Sequence, residues 1–248
     1  MTRRWNASAS LTDHAIPELW HVPGGAFQMG DDNGRSDERP AHLVRVSAFQ
    51  LGRFPVTNEE YGLYVHEASA PAPRFWSDAR FNQPTQPVVG VSWFEAVAYC
   101  DWLSARTGAC YRLPTEAERE WASLGGIEGA RYPWGGDEPA LSGAWALPPH
   151  GQDRPLPVCD AAANGYGLCH MADNVHEWCA DWWNPGYYAV SPIENPTGPS
   201  SGTRRASRGG AWRHQLKFSR CAARSSLDPS YHYNDYGFRV AAELTARA

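Results

Sequence analysis

The sequence predicts a turn-rich fold in which short helices and short strands are joined by long ordered loops, and three observations lead there. First, 23 Gly and 20 Pro among 248 residues interrupt the chain too often for long periodic elements. Second, 12 Trp provide large apolar surfaces, so the loops that carry them gain by packing rather than by remaining flexible. Third, helix-start signals occur three times and no helical pattern runs far beyond them. The length fits one large domain or two small ones.

Strands are expected first, at Ala26–Met29 and over Leu43–Leu51, where Leu43, Val44, Val46 and Phe49 partly alternate with Arg45, Ser47 and Gln50. Each helix start is a Ser or Thr followed three residues later by Glu: Thr57 with Glu60, Ser92 with Glu95, Thr115 with Glu118. In that pairing the hydroxyl accepts an N–H of the first turn and the carboxylate returns to the cap's own N–H. Val97, Cys100 and Leu103 follow the second cap at helical spacing, and Gly125-Gly126 stops the third helix. Beyond residue 127 periodicity fades. The segments 132–157 and 184–207 read as packed loops because Trp134, Trp145, Trp182, Trp183, Tyr187 and Tyr188 lie in or beside them.

A formal net charge of −5 gives no electrostatic reason for nucleic acid or an anionic membrane as partner. No apolar run approaches the roughly 20 residues a membrane span needs. The first 20 residues lack the apolar stretch of a secretory signal, so a cytoplasmic protein is expected, with its cysteines as free thiols. The six cysteines, at 100, 110, 159, 169, 179 and 221, form no Cys-x-x-Cys pair of the kind that binds zinc.

A series of motifs resembles the formylglycine-generating-enzyme (sulfatase-modifying factor) family. It opens at Pro23-Gly24-Gly25-Ala26-Phe27-Gln28-Met29-Gly30 and continues through Glu38-Arg39-Pro40-Ala41-His42, Pro87 to Trp93, Arg112 to Glu118 and Tyr132-Pro133-Trp134-Gly135. Asn164 to Leu168, Asn174 to Trp178, Arg208-Gly209-Gly210 and Cys221 to Ser225 follow, and the series closes at Gly237-Phe238-Arg239. The resemblance implies one α+β domain with the C-type-lectin-like fold, over residues 21–243, between an N-terminal extension (1–20) and a short tail (244–248).

What the resemblance implies about chemistry is divided. The family oxidises a cysteine of a sulfatase peptide to formylglycine with oxygen and copper, using two cysteines shortly after the Gly-Gly. Thiolate is the soft ligand that suits Cu(I). Here the stretch Gly209 to Arg220 contains no cysteine, and His214 falls where the first one is expected. His176 stands where a cleft tryptophan is usual, and Cys100 and Cys221 face Val240 and Ser123 instead of their usual disulfide partners. His176 and His214 are therefore candidate ligands for iron, copper or zinc, with His170, Cys179 or Tyr233 as further ligands and Tyr233 as a candidate proton donor; the alternative is that each histidine simply hydrogen-bonds in a polar pocket. A family calcium site maps onto His170, Asp173, Val175 and Glu177, of which Glu177 matches and His170 is a poor ligand for a hard cation. Two functions follow: a metal- or oxygen-dependent oxidoreductase acting on a small molecule or peptide, or a non-catalytic binding module that presents residues 211–236.

Overall fold

The computed structural model describes residues 16–136, 153–158, 162–172 and 174–244. Trp145, Cys159 and Asp173 lie outside the described residues. Among the described residues, three sheets and three α-helices pack around four hydrophobic clusters. The first sheet has the order β1 (Leu19–Val22), β4 (Phe49–Gly52), β10 (Ala241–Ala242) and β5 (Tyr111–Arg112), all antiparallel. A hairpin of β2 (Gly25–Met29) and β3 (His42–Val46) forms the second. The third has the order β8 (Ser225–Leu227), β7 (Arg205–Arg208), β6 (His176–Trp182) and β9 (Tyr236–Gly237), with β6 and β9 parallel. This is the expected α+β architecture of short elements.

The helices begin where their caps predict. Thr57, Ser92 and Thr115 each close a complete capping box, opening α1 (Asn58–Ala68), α2 (Trp93–Thr107) and α3 (Glu116–Leu124). α2 buries Tyr99, Cys100 and Leu103 against Tyr61 of α1 and Phe238, with the Tyr61 and Tyr99 rings stacked 5.5 Å apart. Trp178 of β6 joins this core, fully buried, and donates its indole N–H to the Val91 carbonyl.

One sequence expectation is corrected. The single strand expected over 43–51 divides at Ser47-Ala48 into β3 and β4, which belong to different sheets. The break is held by Asn195, whose side-chain oxygen accepts the Ser47 N–H, and by Gly24 packed against Ala48. β1 pairs with β4 from Leu19 to Val22, on both sides of residue 21. Among the described residues no cysteine forms a disulfide, and no helix is long and apolar enough to cross a membrane.

Charge, unusually, is buried in the core. Arg119, Arg208, Arg224 and Arg239 are among the largest fully buried side chains. Glu116 of α3 accepts from Arg208 Nε at 3.0 Å and from both Nε and Nη2 of Arg224 at 2.8 Å. Glu177 of β6 accepts from Arg119 Nε at 2.7 Å and from Arg239 at 2.9 Å on each oxygen. Burial alone would raise the Glu177 carboxyl; the attraction of Arg119 and Arg239 reverses this and holds it at about 2. Removing the charge would leave two buried guanidiniums short of an anion. Glu177→Gln is therefore expected to destabilise by about 3–5 kcal/mol, lowering Tm by roughly 10 °C; an unchanged thermal transition would contradict this.

Asp181, also on β6, accepts the backbone N–H of Glu116 at 2.8 Å and so ties the strand to the start of α3. Burial first, then the Glu116 carboxylate, pushes its carboxyl up to about 8. An unfolded Asp titrates near 3.9. Between those values the unfolded chain releases a proton that the folded chain keeps, so this group's stabilisation is full below about pH 4 and lost as pH rises through about 8. Asp181→Asn should accordingly gain stability relative to the parent protein between about pH 5 and pH 8.5. A difference in Tm that does not vary with pH would contradict that assignment.

Candidate functional site

Strand β6 has two faces of opposite character. Glu177 and Cys179 turn into the buried charge network, while His176 and Trp178 turn toward Tyr236, whose ring lies 4.9 Å from His176 and 5.0 Å from Trp178. Parallel pairing with β9 sets His176 opposite Tyr236, and the His176 N–H donates to the Asp235 carbonyl at 2.8 Å. The register thus brings a carboxylate beside the histidine.

The second histidine arrives on the loop after β7. Gly209 and Gly210 take φ of +104° and +81°, in the left-handed region, and a Cβ on Gly210 would come within 2.5 Å of the Ser219 hydroxyl. The loop is fastened by the Trp212 N–H to the Asn174 carbonyl at 2.9 Å, and a turn closes from the His214 N–H to the Ala211 carbonyl at 2.8 Å. The role of Gly-Gly is to carry the chain close past Ala172 and Ser219 so that His214 meets His176.

His176 Nε2 and His214 Nδ1 lie 2.9 Å apart. On the far side of the His214 ring, Nε2 is 3.5 Å from Asp235 Oδ2, which also accepts Arg213 Nε at 2.9 Å. The arrangement assigns the protons: the carboxylate favours N–H at His214 Nε2, His214 Nδ1 accepts from His176 Nε2, and His176 Nδ1 is left bare. His176 Nδ1 and Asp235 Oδ1 are both buried without a hydrogen-bond partner. Burial, followed by His214 and Arg213, lowers His176 to about 3. Burial lowers His214 too, with Asp235 opposing and Arg213 adding to the shift. Both rings are neutral at pH 7, the state in which imidazole binds metal.

The pair borders a cavity of about 220 Å³, lined also by Arg35, Phe218, Arg224 and Ser225. His176 is buried, and His214, with a side chain 30% exposed, is the histidine a ligand reaches. One atom from each of His176, His214 and Asp235 lies within 4.8 Å of the others.

Other sequence candidates are placed elsewhere. Tyr233 is exposed and packs 6.3 Å from Tyr236, so Tyr236 is the tyrosine at the histidine pair. The Tyr236 hydroxyl lies 3.3 Å from Ser207 Oγ and 3.2 Å from Ser225 Oγ. Cys179 points away from the pair and burial holds it as a thiol. Of the residues in the calcium assignment, Asp173 lies outside the described residues, Glu177 accepts from two guanidiniums, and Arg239 and Arg119 also take the carbonyls of Cys169, His170 and Met171. Val175 is buried there with its side chain against Phe81 and Val89. Asp235 is the residue that sequence reasoning missed; it lies 59 positions from His176, and only the parallel strand pairing reveals their proximity.

The sulfatase-modifying factor enzyme 1-like domain matches residues 6–244. The formylglycine-generating enzyme of Streptomyces coelicolor is 35% identical over 288 residues, covering 91% of this chain and 90% of that enzyme. Hercynine oxygenase of Mycolicibacterium smegmatis is 32% identical over 265 residues, covering 88% of this chain and 58% of that protein. PvdO from Pseudomonas aeruginosa superposes with a TM-score of 0.80 at 30% identity, covering 93% of this chain and 95% of that one. The chain belongs to the sulfatase-modifying factor, or formylglycine-generating-enzyme, family.

Proposed function

We propose that this protein is an oxygen-dependent oxidoreductase that acts on a small molecule or peptide in the cleft at His176 and His214, without the thiolate chemistry that makes formylglycine. The observation that carries the reading is the meeting of the two imidazoles at 2.9 Å on the loop where the family resemblance leads one to expect a cysteine. Among the described residues lining that cavity, none is a cysteine. The described cysteines Cys100, Cys179 and Cys221 are buried, and burial raises each thiol far from the thiolate form that copper needs.

The residues present fit a metal bound through nitrogen: two neutral imidazoles face each other, and a buried carboxylate oxygen beside them lacks a partner. His176 and His214 would hold iron or copper, and the bound metal would supply the binding and reduction of dioxygen. Other roles belong to the chain itself. Asp235 and Arg213 fix the His214 ring, Tyr236 and Phe218 shield the imidazoles from water, and Arg35 places a positive charge at the cavity wall. Similarity to an enzyme named an oxygenase supports an oxidative reaction rather than simple recognition.

A mass-spectrometric assay with a cysteine-containing sulfatase peptide, run beside oxygen-electrode measurements with ascorbate as reductant, tests the proposal. Metal-loaded protein should leave the peptide cysteine unchanged and consume oxygen faster than the free metal does. The His176→Ala/His214→Ala variant should lose that excess. Formylglycine formation, or oxygen uptake equal in the two proteins, would overturn the reading.

A further inference from the structure

We infer that His176, His214 and Asp235 form a two-histidine, one-carboxylate site for Fe(II). The inference rests on the preceding reading for its use in oxidation, but not for the binding itself, which the metal alone can test.

One ligand atom from each of His176, His214 and Asp235 lies within 4.8 Å of the others. His176 comes from β6, Asp235 from the residue before β9, and His214 from the Gly-Gly loop, so three backbone segments carry the ligands, two of them tied by the His176 N–H to the Asp235 carbonyl. Nitrogens 2.9 Å apart stand at about the separation of two neighbouring ligands that each lie about 2.1 Å from one ion. An unpartnered atom supplies the second argument. A buried carboxylate oxygen or imidazole nitrogen without a hydrogen bond costs about 1–3 kcal/mol, more where charge is involved. Asp235 is 1% exposed and its Oδ1 has no partner. Arg213 and His214 engage only Oδ2, so Oδ1 is available to a cation without breaking the Arg213 ion pair.

The donor set favours one class of ion. Two imidazoles and a carboxylate, with no sulfur among the described cavity side chains, do not suit Cu(I), which selects thiolate and thioether. Ca²⁺ prefers six to eight oxygens and finds one carboxylate here. Two histidines and one carboxylate with open positions are the ligands of non-haem Fe(II) oxygenases, and the adjoining 220 Å³ cavity leaves room beside them. Zn²⁺ accepts the same donors, and the test separates the two.

Chelator-treated full-length protein would be titrated anaerobically with Fe(II), bound iron counted by mass spectrometry, and nitric oxide added as a probe of open coordination positions. About one iron per chain and the EPR signal of a high-spin ferrous nitrosyl are expected. Asp235→Asn should weaken Fe(II) binding by more than about 100-fold, beyond the range that loss of an outer-sphere partner produces. Undiminished binding by Asp235→Asn would overturn the carboxylate's role, and so would stoichiometric Zn²⁺ or Cu(I) uptake without Fe(II) uptake. His214→Gln provides a second check should Asp235→Asn fail to fold, because His214 is partly exposed: it should lose the nitrosyl signal while keeping the parent's circular dichroism. Iron binding without oxygen uptake would sink the proposed oxidation and leave the site standing; oxygen uptake by a protein that binds no iron would do the reverse.

Discussion

The structure depends on one buried ion cluster, Glu177 held between Arg119 and Arg239. The three residues come from β6, α3 and the segment after β9, and their side chains are completely buried. Removing such charges from water costs several kcal/mol per ion unless every donor and acceptor is matched. Here they are: Arg239 also donates to the carbonyls of Gly52, Arg53 and Cys169, and Arg119 to Met171 and the Ser123 hydroxyl. So many fixed partners define one position for the strand. Loops with little regular structure of their own are drawn to it because their carbonyls are what the guanidiniums require.

That clamp has a consequence on the opposite face of the strand. Because side chains alternate, fixing Glu177 inward fixes His176 toward the cleft, and the β6–β9 pairing that brings Arg239 to Glu177 also brings Asp235 to His176. A single register therefore sets both the structural ion cluster and the candidate metal centre. The two are chemically distinct although adjacent. One is a saturated set of charges with every polar atom of the Glu177 carboxylate engaged, and the other keeps a bare imidazole nitrogen and a bare carboxylate oxygen beside a cavity. Saturation suits stability, and unsatisfied polarity in a buried place suits ligation.

Local signals in the sequence were legible and remote ones were not. The three capping boxes each involve residues three apart, so Thr57, Ser92 and Thr115 could be read directly as helix starts. The histidines were singled out because each replaces a residue of different chemistry in a recognisable motif, and the structure brings them together. Strand limits failed at Ser47, where the deciding partner, Asn195, lies 148 residues away. For Glu177 the resemblance names a calcium ligand, while the guanidiniums it accepts from, Arg119 and Arg239, lie 58 and 62 positions away and leave no local trace. Tyr236 and Asp235 went unnamed beside Tyr233 because a two-residue strand and the residue before it leave no periodic trace. In each case the missing information is tertiary pairing.

The most direct measurement is anomalous X-ray diffraction at the iron edge from crystals grown anaerobically with Fe(II). A strand register that builds a metal centre predicts one strong anomalous peak bordered by His176, His214 and Asp235, with Glu177 still bound to Arg119 and Arg239. No peak there, or a peak at Glu177 with its guanidiniums displaced, would contradict the assignment of the two faces of β6.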